Sequence, residues 1–157
     1  MQAVAALQRL SRRFHLGGLR PLSRIIDGIV RVGFAASIPG RASIGKGVMF
    51  HHSGIGVVIN GASVIEDGCD IGVHVVLGGR TPLPGAPHLE RNVIVHAGAK
   101  IIGPITIGAG SVVAANAVVI EDMPANALIA GIPAVAKRNI ADVDAYRHRA
   151  GEGAVAP

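Results

Sequence analysis

The stretch Val93-Ile94-Val95-His96-Ala97-Gly98-Ala99-Lys100-Ile101-Ile102-Gly103-Pro104-Ile105-Thr106-Ile107-Gly108-Ala109-Gly110-Ser111-Val112-Val113 places an aliphatic residue at every sixth position: Val95, Ile101, Ile107 and Val113. The step continues to Val119 and, upstream, through Ile59, Ile65, Ile71 and Leu77. Ile38, Ile44 and Phe50 keep it at the start. Four residues after each aliphatic the side chain is usually small, as at Ala42, Ser63, Cys69, Val75, Ala99, Ser111 and Ala117. The next position is often Gly or another turn-tolerant residue: Gly45, Asn60, Gly72, Gly78 and Gly108. A step of six is neither the helical period nor simple strand alternation.

One geometry satisfies both patterns. Six residues make one short strand and one corner, and three such units close a triangular coil. The large aliphatic points inward along each side, and the small residue points inward beside a corner, where room is least. Stacked coils pair as parallel strands, so the interior becomes columns of like residues. About thirteen hexads correspond to four to five coils. The register is interrupted twice. Phe50 to Ile59 is nine residues, so three are inserted there. Between Leu77 and Val95, Leu83 and Leu89 are nominally in phase. The proline-rich Thr81-Pro82-Leu83-Pro84-Gly85-Ala86-Pro87 instead predicts a loop, with Leu89 resuming the register.

Composition agrees. The 157 residues suffice for one domain with a core. Half are apolar, yet only 3% are aromatic and Trp is absent, as suits a narrow core of stacked Ile, Val and Ala. Cys69 is the only cysteine, so no intrachain disulfide can form. Its place in a small-residue column marks it as a packing residue. The net charge of +5 suits an anionic partner such as a nucleotide-bearing cofactor. Much of the excess is local: Arg9, Arg12, Arg13, Arg20, Arg24 and Arg31 are opposed only by Asp27 in the first segment. That bunching reads as a solvated helix face, with a membrane-surface or anionic-polymer role as the alternative. Arginines interrupt the short apolar start, so no signal peptide is expected. The best spanning candidate, Leu22 to Ile38, contains Arg24, Asp27 and Arg31, so no transmembrane segment is expected either. The protein is expected to be soluble and cytoplasmic. Nucleic acid is not an expected partner, because the basic residues are not interleaved with stacking aromatics.

Three zones follow: a helical segment over 1–36, broken near Gly17-Gly18 and Pro21; a β-helix over 37–136; and an irregular tail over 137–157, loose from about 141. Leu22, Ile25, Ile26, Ile29 and Val30 form an apolar stripe at helical spacing, expected to pack on a neighbour.

Residues 44–60, Ile-Gly-Lys-Gly-Val-Met-Phe-His-His-Ser-Gly-Ile-Gly-Val-Val-Ile-Asn, resemble the catalytic coil of the serine O-acetyltransferases. So do Val76-Leu77-Gly78-Gly79-Arg80, Ala97-Gly98-Ala99-Lys100-Ile101-Ile102-Gly103 and Ala130-Gly131-Ile132-Pro133-Ala134. The similarity covers roughly residues 20 to 138 and is greatest to the short members of the family. It implies an all-β, left-handed parallel β-helix, an exception to right-handed crossovers. It also implies a homotrimer with each active site between two neighbouring β-helices, acetyl-CoA as acyl donor, a small hydroxyl-bearing acceptor and no metal.

The resemblance further implies roles. His52 matches the catalytic histidine, a base for an acceptor alcohol; the adjacent His51 ranks below it. Gly78 and Gly79 match the glycines beside the thioester, where bare backbone approaches the ligand. Ala97, Gly98 and Ala99 match the small residues lining the pantetheine groove, with His96 in place of the usual Gly, and Ala115 continues that wall. Lys137 and Arg138 are candidates for the coenzyme phosphates, with a solvated basic end as the alternative. The acidic partner usual for the histidine falls at or near Ser37, and no Asp or Glu lies between Asp27 and Glu66. His52 is therefore expected to be oriented by Ser37 or a backbone carbonyl. The family's Arg-His-Pro segment is replaced by Ala86-Pro87-His88-Leu89. His88, Arg80, Arg91 and His74 remain as acceptor-side candidates. A zinc hydratase on the same scaffold would need three converging imidazoles, but His52, His74 and His96 fall at different positions in their hexads. A sugar or secondary-metabolite acyltransferase, or a scaffold without activity, are further alternatives.

Overall fold

The computed structural model describes residues 3–147. Two helices, α1 (Ala3–Leu16) and α2 (Arg20–Phe34), precede a parallel β-helix. The break at Gly17-Gly18 falls as expected, with Gly18 at φ 80°. Pro21 does not break α2 but sits in its first turn, where a missing N–H is harmless.

Each coil has three short strands. The first holds β1 (Ser43–Ile44), β2 (Met49–Phe50) and β3 (Val58–Ile59). The second holds β4 (Val64–Ile65), β5 (Asp70–Ile71) and β6 (Val76–Gly78). The third holds β7 (His88–Leu89), β8 (Ile94–Val95) and β9 (Lys100–Ile102); the fourth, β10 (Thr106–Ile107), β11 (Val112–Val113) and β12 (Val118–Val119). A hairpin of β13 (Ala127–Gly131) and β14 (Ala134–Asn139) ends the stack. The three faces are the sheets β1-β4-β7-β10, β3-β6-β9-β12 and β2-β5-β8-β11-β13-β14.

Register follows the hexad step. Phe50 pairs with Ile71, Ile71 with Val95, Val95 with Val113 and Val113 with Ile129. Ile59, Leu77, Ile101 and Val119 form a second column, and Ile44, Ile65, Leu89 and Ile107 a third. All of these but Ile44 are buried. The small positions Ala42, Ser63, Cys69, Val75, Ala99, Ser111 and Ala117 are also buried, each beside a corner. Both interruptions are insertions at corners. The three extra residues form a turn at His51–Gly54, and the proline-rich stretch bulges out, with Leu83 exposed and Leu89 buried.

The helices close the open end of the first coil. Val4, Ala5 and Val30 join the core. Gln8 Nε2 donates to the Ala42 carbonyl at 3.2 Å, and Arg12 Nη1 donates to the same oxygen at 2.9 Å. Terminal repeats of a solenoid need such a cover, because their inner columns have no next coil to bury them. The apolar stripe of α2 divides: Ile26 and Val30 are buried, whereas Leu22, Ile25 and Ile29 are exposed.

The tail departs from expectation. Residues 137–139 complete β14, and Asp144–Tyr146 form a 3-10 turn. Ile140 is buried against Ile94 and Val112, with Leu128, Val143 and Tyr146 packed around them. The irregular segment expected from 137 thus folds back over the sheet at least to Arg147. The outward residues Ile94, Val112 and Leu128 give it an apolar floor that alternating strands would not otherwise supply. Residues 148–157 of the expected tail lie outside the described residues. No described helix is long and apolar enough to cross a membrane.

Candidate active site

A cleft of about 170 Å³ opens on the outer face of the six-stranded sheet. His51, His52, Asp70, Gly72, Val73, His96, Ala97 and Tyr146 are among its lining residues. The insertion explains how histidines reach it. The turn follows β2 and carries His52 at φ 49°, ψ 42° and Ser53 at φ 59°, ψ 20°. Two consecutive non-glycine residues in the left-handed region are costly and are held only where the surroundings enforce them. Here the Ile55 and Val57 N–H groups bond back to the His52 and Gly54 carbonyls at 3.5 and 2.9 Å. Gly54, itself at φ 75°, is buried against Phe50 and Ile38. The result is an exposed His52 ring on an anchored loop.

The floor is Gly72. It stands one residue beyond the Phe50–Ile71 pair, so His51 lies beside it in the coil below and His96 in the coil above. A Cβ at Gly72 would stand 2.6 Å from the Ala97 nitrogen and 2.9 Å from the His96 carbonyl carbon, so only glycine fits. Asp70 forms a side wall and is 5% exposed. Arg147 engages it with Nη1 at 2.8 Å from Oδ2, while Nη2 donates to the Gly68 carbonyl at 2.9 Å. Tyr146 accordingly closes one side of the cleft.

Ser37 is one of the two orienting groups expected for His52, the other being a backbone carbonyl. Ser37 Oγ accepts from Arg31 Nη2 at 3.2 Å, and among the described residues no carboxylate is bonded to the His52 ring. Asp70 is the one carboxylate among the residues lining this cleft, and sequence reasoning missed it. A signal was present: the outward positions paired across this sheet are Met49, Asp70, Ile94, Val112 and Leu128, one charge in an apolar column. Tyr146 and Gly72 were missed as well.

The other expected residues divide into groups. Ala97, Gly98 and Ala115 follow the same corner as His52, on successive coils, and Gly98 N–H donates to the Val73 carbonyl at 2.8 Å. Ala99 is fully buried in the small inward column, so its side chain does not line any groove. His74 occupies that corner too, at φ 57°, with its ring packed over Gly56. Gly78 lies at the other end of β6, and Gly79 and Arg80 follow it, the last two exposed. One chain therefore sets Ala97, Gly98 and Ala115 at one edge of β3-β6-β9-β12 and Gly79 and Arg80 past the opposite edge. His88 is on a third face, where Nε2 lies 2.9 Å from Glu66 Oε1. Lys137 and Arg138 lie on β14 beside Pro124–Ala127, and Arg138 donates to the Tyr146 hydroxyl at 2.6 Å. Neither basic residue lines the His52 cleft, although Arg138 reaches its Tyr146 wall. Cys69 is buried, its thiol donating to the Glu90 carbonyl at 3.1 Å, and burial pushes its pKa up to about 11. It is a core residue, not a nucleophile.

A family model described as bacterial transferase hexapeptide (six repeats) matches residues 86–121. The serine acetyltransferase of Salmonella typhimurium is 37% identical over 119 residues, 74% of this chain and 43% of that protein. A solved serine acetyltransferase in complex with cysteine superposes with a TM-score of 0.83 at 31% identity, covering 88% of this chain and 54% of that one. The serine acetyltransferase of Brucella abortus in complex with coenzyme A gives a TM-score of 0.83 at 28% identity, covering 88% of this chain and 56% of that one. The stacked hexads and these likenesses define a hexapeptide-repeat acyltransferase fold. Within that class the chain is similar to the serine acetyltransferases, and it spans about half the length of the relatives it matches.

Proposed function

We propose that this chain transfers an acetyl group from acetyl-CoA to the hydroxyl of serine or a serine-like small molecule, with His52 as general base. The observation that carries this reading is the exposed imidazole on a rigid, strained turn beside a glycine-floored cleft, in a chain 37% identical to a serine acetyltransferase. His52 takes the proton of the acceptor hydroxyl as its oxygen attacks the thioester carbonyl. The tetrahedral oxyanion collapses, the carbon–sulfur bond breaks, and the imidazolium returns the proton to the departing thiolate. Gly78 and Gly79 offer backbone for close approach at the reacting carbonyl, and Ala97, Gly98 and Ala115 form a wall with no bulky side chain for the pantetheine arm.

The reading includes a homotrimer with each site between neighbouring copies. What supports it is the split already described: the small-residue wall and the glycine pair sit at opposite edges of one sheet. A second copy presenting its glycine edge to the His52 edge would complete one cleft.

A second reading, acylation of a sugar or secondary-metabolite hydroxyl or amine, rests on the acceptor side. His88 is tied to Glu66 on another face, leaving Arg80 and His74 as the acceptor-side candidates near these edges. Thiol release from acetyl-CoA separates the readings: L-serine should support turnover, and His52→Ala should slow it by orders of magnitude. Turnover with a sugar hydroxyl and none with serine would establish the second reading. Absence of coenzyme A binding by calorimetry would remove both.

A further inference from the structure

A cavity of about 310 Å³ at the base of the β-helix lies between the helices and the first coil, apart from the His52 cleft. His15, Arg20, Ser23, Arg24, Asp27, Pro39 and Arg41 line it. Three arginines and one aspartate are thus gathered at its walls, an excess of two positive charges among them. One oxygen of that carboxylate is engaged within the fold: Asp27 Oδ1 accepts from Ser11 Oγ at 2.6 Å and from the Gly40 N–H at 3.0 Å. Ser23 is spent likewise, its Oγ lying 2.9 Å from that of Ser11. No described carboxylate pairs with Arg20, Arg24 or Arg41.

The start of α2 adds to the field. Leu19 at its N-cap offers no side-chain bond, and no acid occupies the first turn. The partial positive charge of that terminus is therefore uncompensated. Arg12 shows what a merely structural arginine does here, because its guanidinium is bound to the Ala42 carbonyl and Ser43 Oγ. Among the described residues Arg20 and Arg24 make no such bond, and they are one helical turn apart on the same face.

We propose that this cavity is a binding site for a doubly charged tetrahedral oxyanion, a phosphate monoester or inorganic phosphate, gripped by Arg20, Arg24 and Arg41. Guanidinium forks match two phosphate oxygens at once, which a row of solvated cations does not require. The site is independent of acyl transfer, so its test does not use activity.

Calorimetric unfolding of the full chain in phosphate should show a saturable rise in midpoint over chloride at equal ionic strength. Arg24→Gln and Arg41→Gln should weaken the apparent affinity about tenfold each. Arg24→Lys, which keeps the charge and the fold but loses the fork, should weaken it as well. Arg13→Gln, an equal charge change at a residue that does not line the cavity, should leave it unchanged. Sedimentation with phosphatidic acid vesicles, against phosphatidylcholine alone, distinguishes the source. Binding that free phosphate displaces would assign a lipid headgroup; saturation by free phosphate without vesicle binding would assign a soluble ligand. A response equal to that in chloride, or equal in Arg13→Gln and Arg24→Gln, would overturn the proposal.

Discussion

Arg147 closes on Asp70 at 2.8 Å across 77 positions of sequence, and the pair fastens the C-terminal segment to the wall of the histidine cleft. The carboxylate is nearly buried, while the arginine is partly open to water. Removing the arginine alone strands a buried charge. Arg147→Ala should destabilise the protein by about 2 kcal/mol, and Asp70→Asn by less, since an amide tolerates the loss better. A double-mutant cycle by urea unfolding should give a coupling energy, and limited proteolysis should cut Arg147→Ala faster after β14.

His52 and His51 share the cleft but not the turn geometry. His52→Ala should lower kcat by roughly 10²- to 10⁴-fold, the range for losing a general base. Coenzyme A affinity should change much less than kcat, because the role proposed for the ring is proton transfer and not cofactor contact. His51→Ala should reduce kcat less than tenfold. Steady-state kinetics beside calorimetric coenzyme A titration checks both, and equal losses in the two variants would unseat His52 as the base.

Cys69 offers a pH test. Burial raises its pKa from the ordinary 9.0 to about 11, so the folded state favours the protonated thiol. Its contribution to stability is intact below pH 9 and is lost as pH rises toward 11. Iodoacetamide should leave native protein unmodified at pH 8 and label it only after denaturation. Rapid native labelling, read by mass spectrometry, would contradict this environment.

Ser63 stands in the small inward column with its hydroxyl buried and unpartnered. Ala42, Ala99 and Ala117 fill equivalent places without a hydroxyl. Ser63→Ala should therefore leave stability unchanged or raise it by up to about 1 kcal/mol. Thermal unfolding of the variant tests this, and a clear loss would reveal a missing partner.

Coil geometry was legible because it is local. Strand, corner and inward step repeat within six residues, so Ile71, Val95 and Val113 announce their column before any folding is considered. Both insertions showed as breaks in the same count, and the first located the histidine turn. His88 illustrates the boundary of that reading. The family resemblance offers it as an acceptor-side candidate, yet its engagement with Glu66 depends on which coil lies below.

Periodicity of the chain thus specifies what points in, what points out and where the spiral is interrupted, since those follow from steric room within one turn. Contacts between distant segments carry no such period. That Arg147 meets Asp70, that Ser37 accepts from Arg31, and that Gly79 and Ala97 stand on opposite edges all depend on how strands about 4.7–4.9 Å apart stack and where the last segment returns.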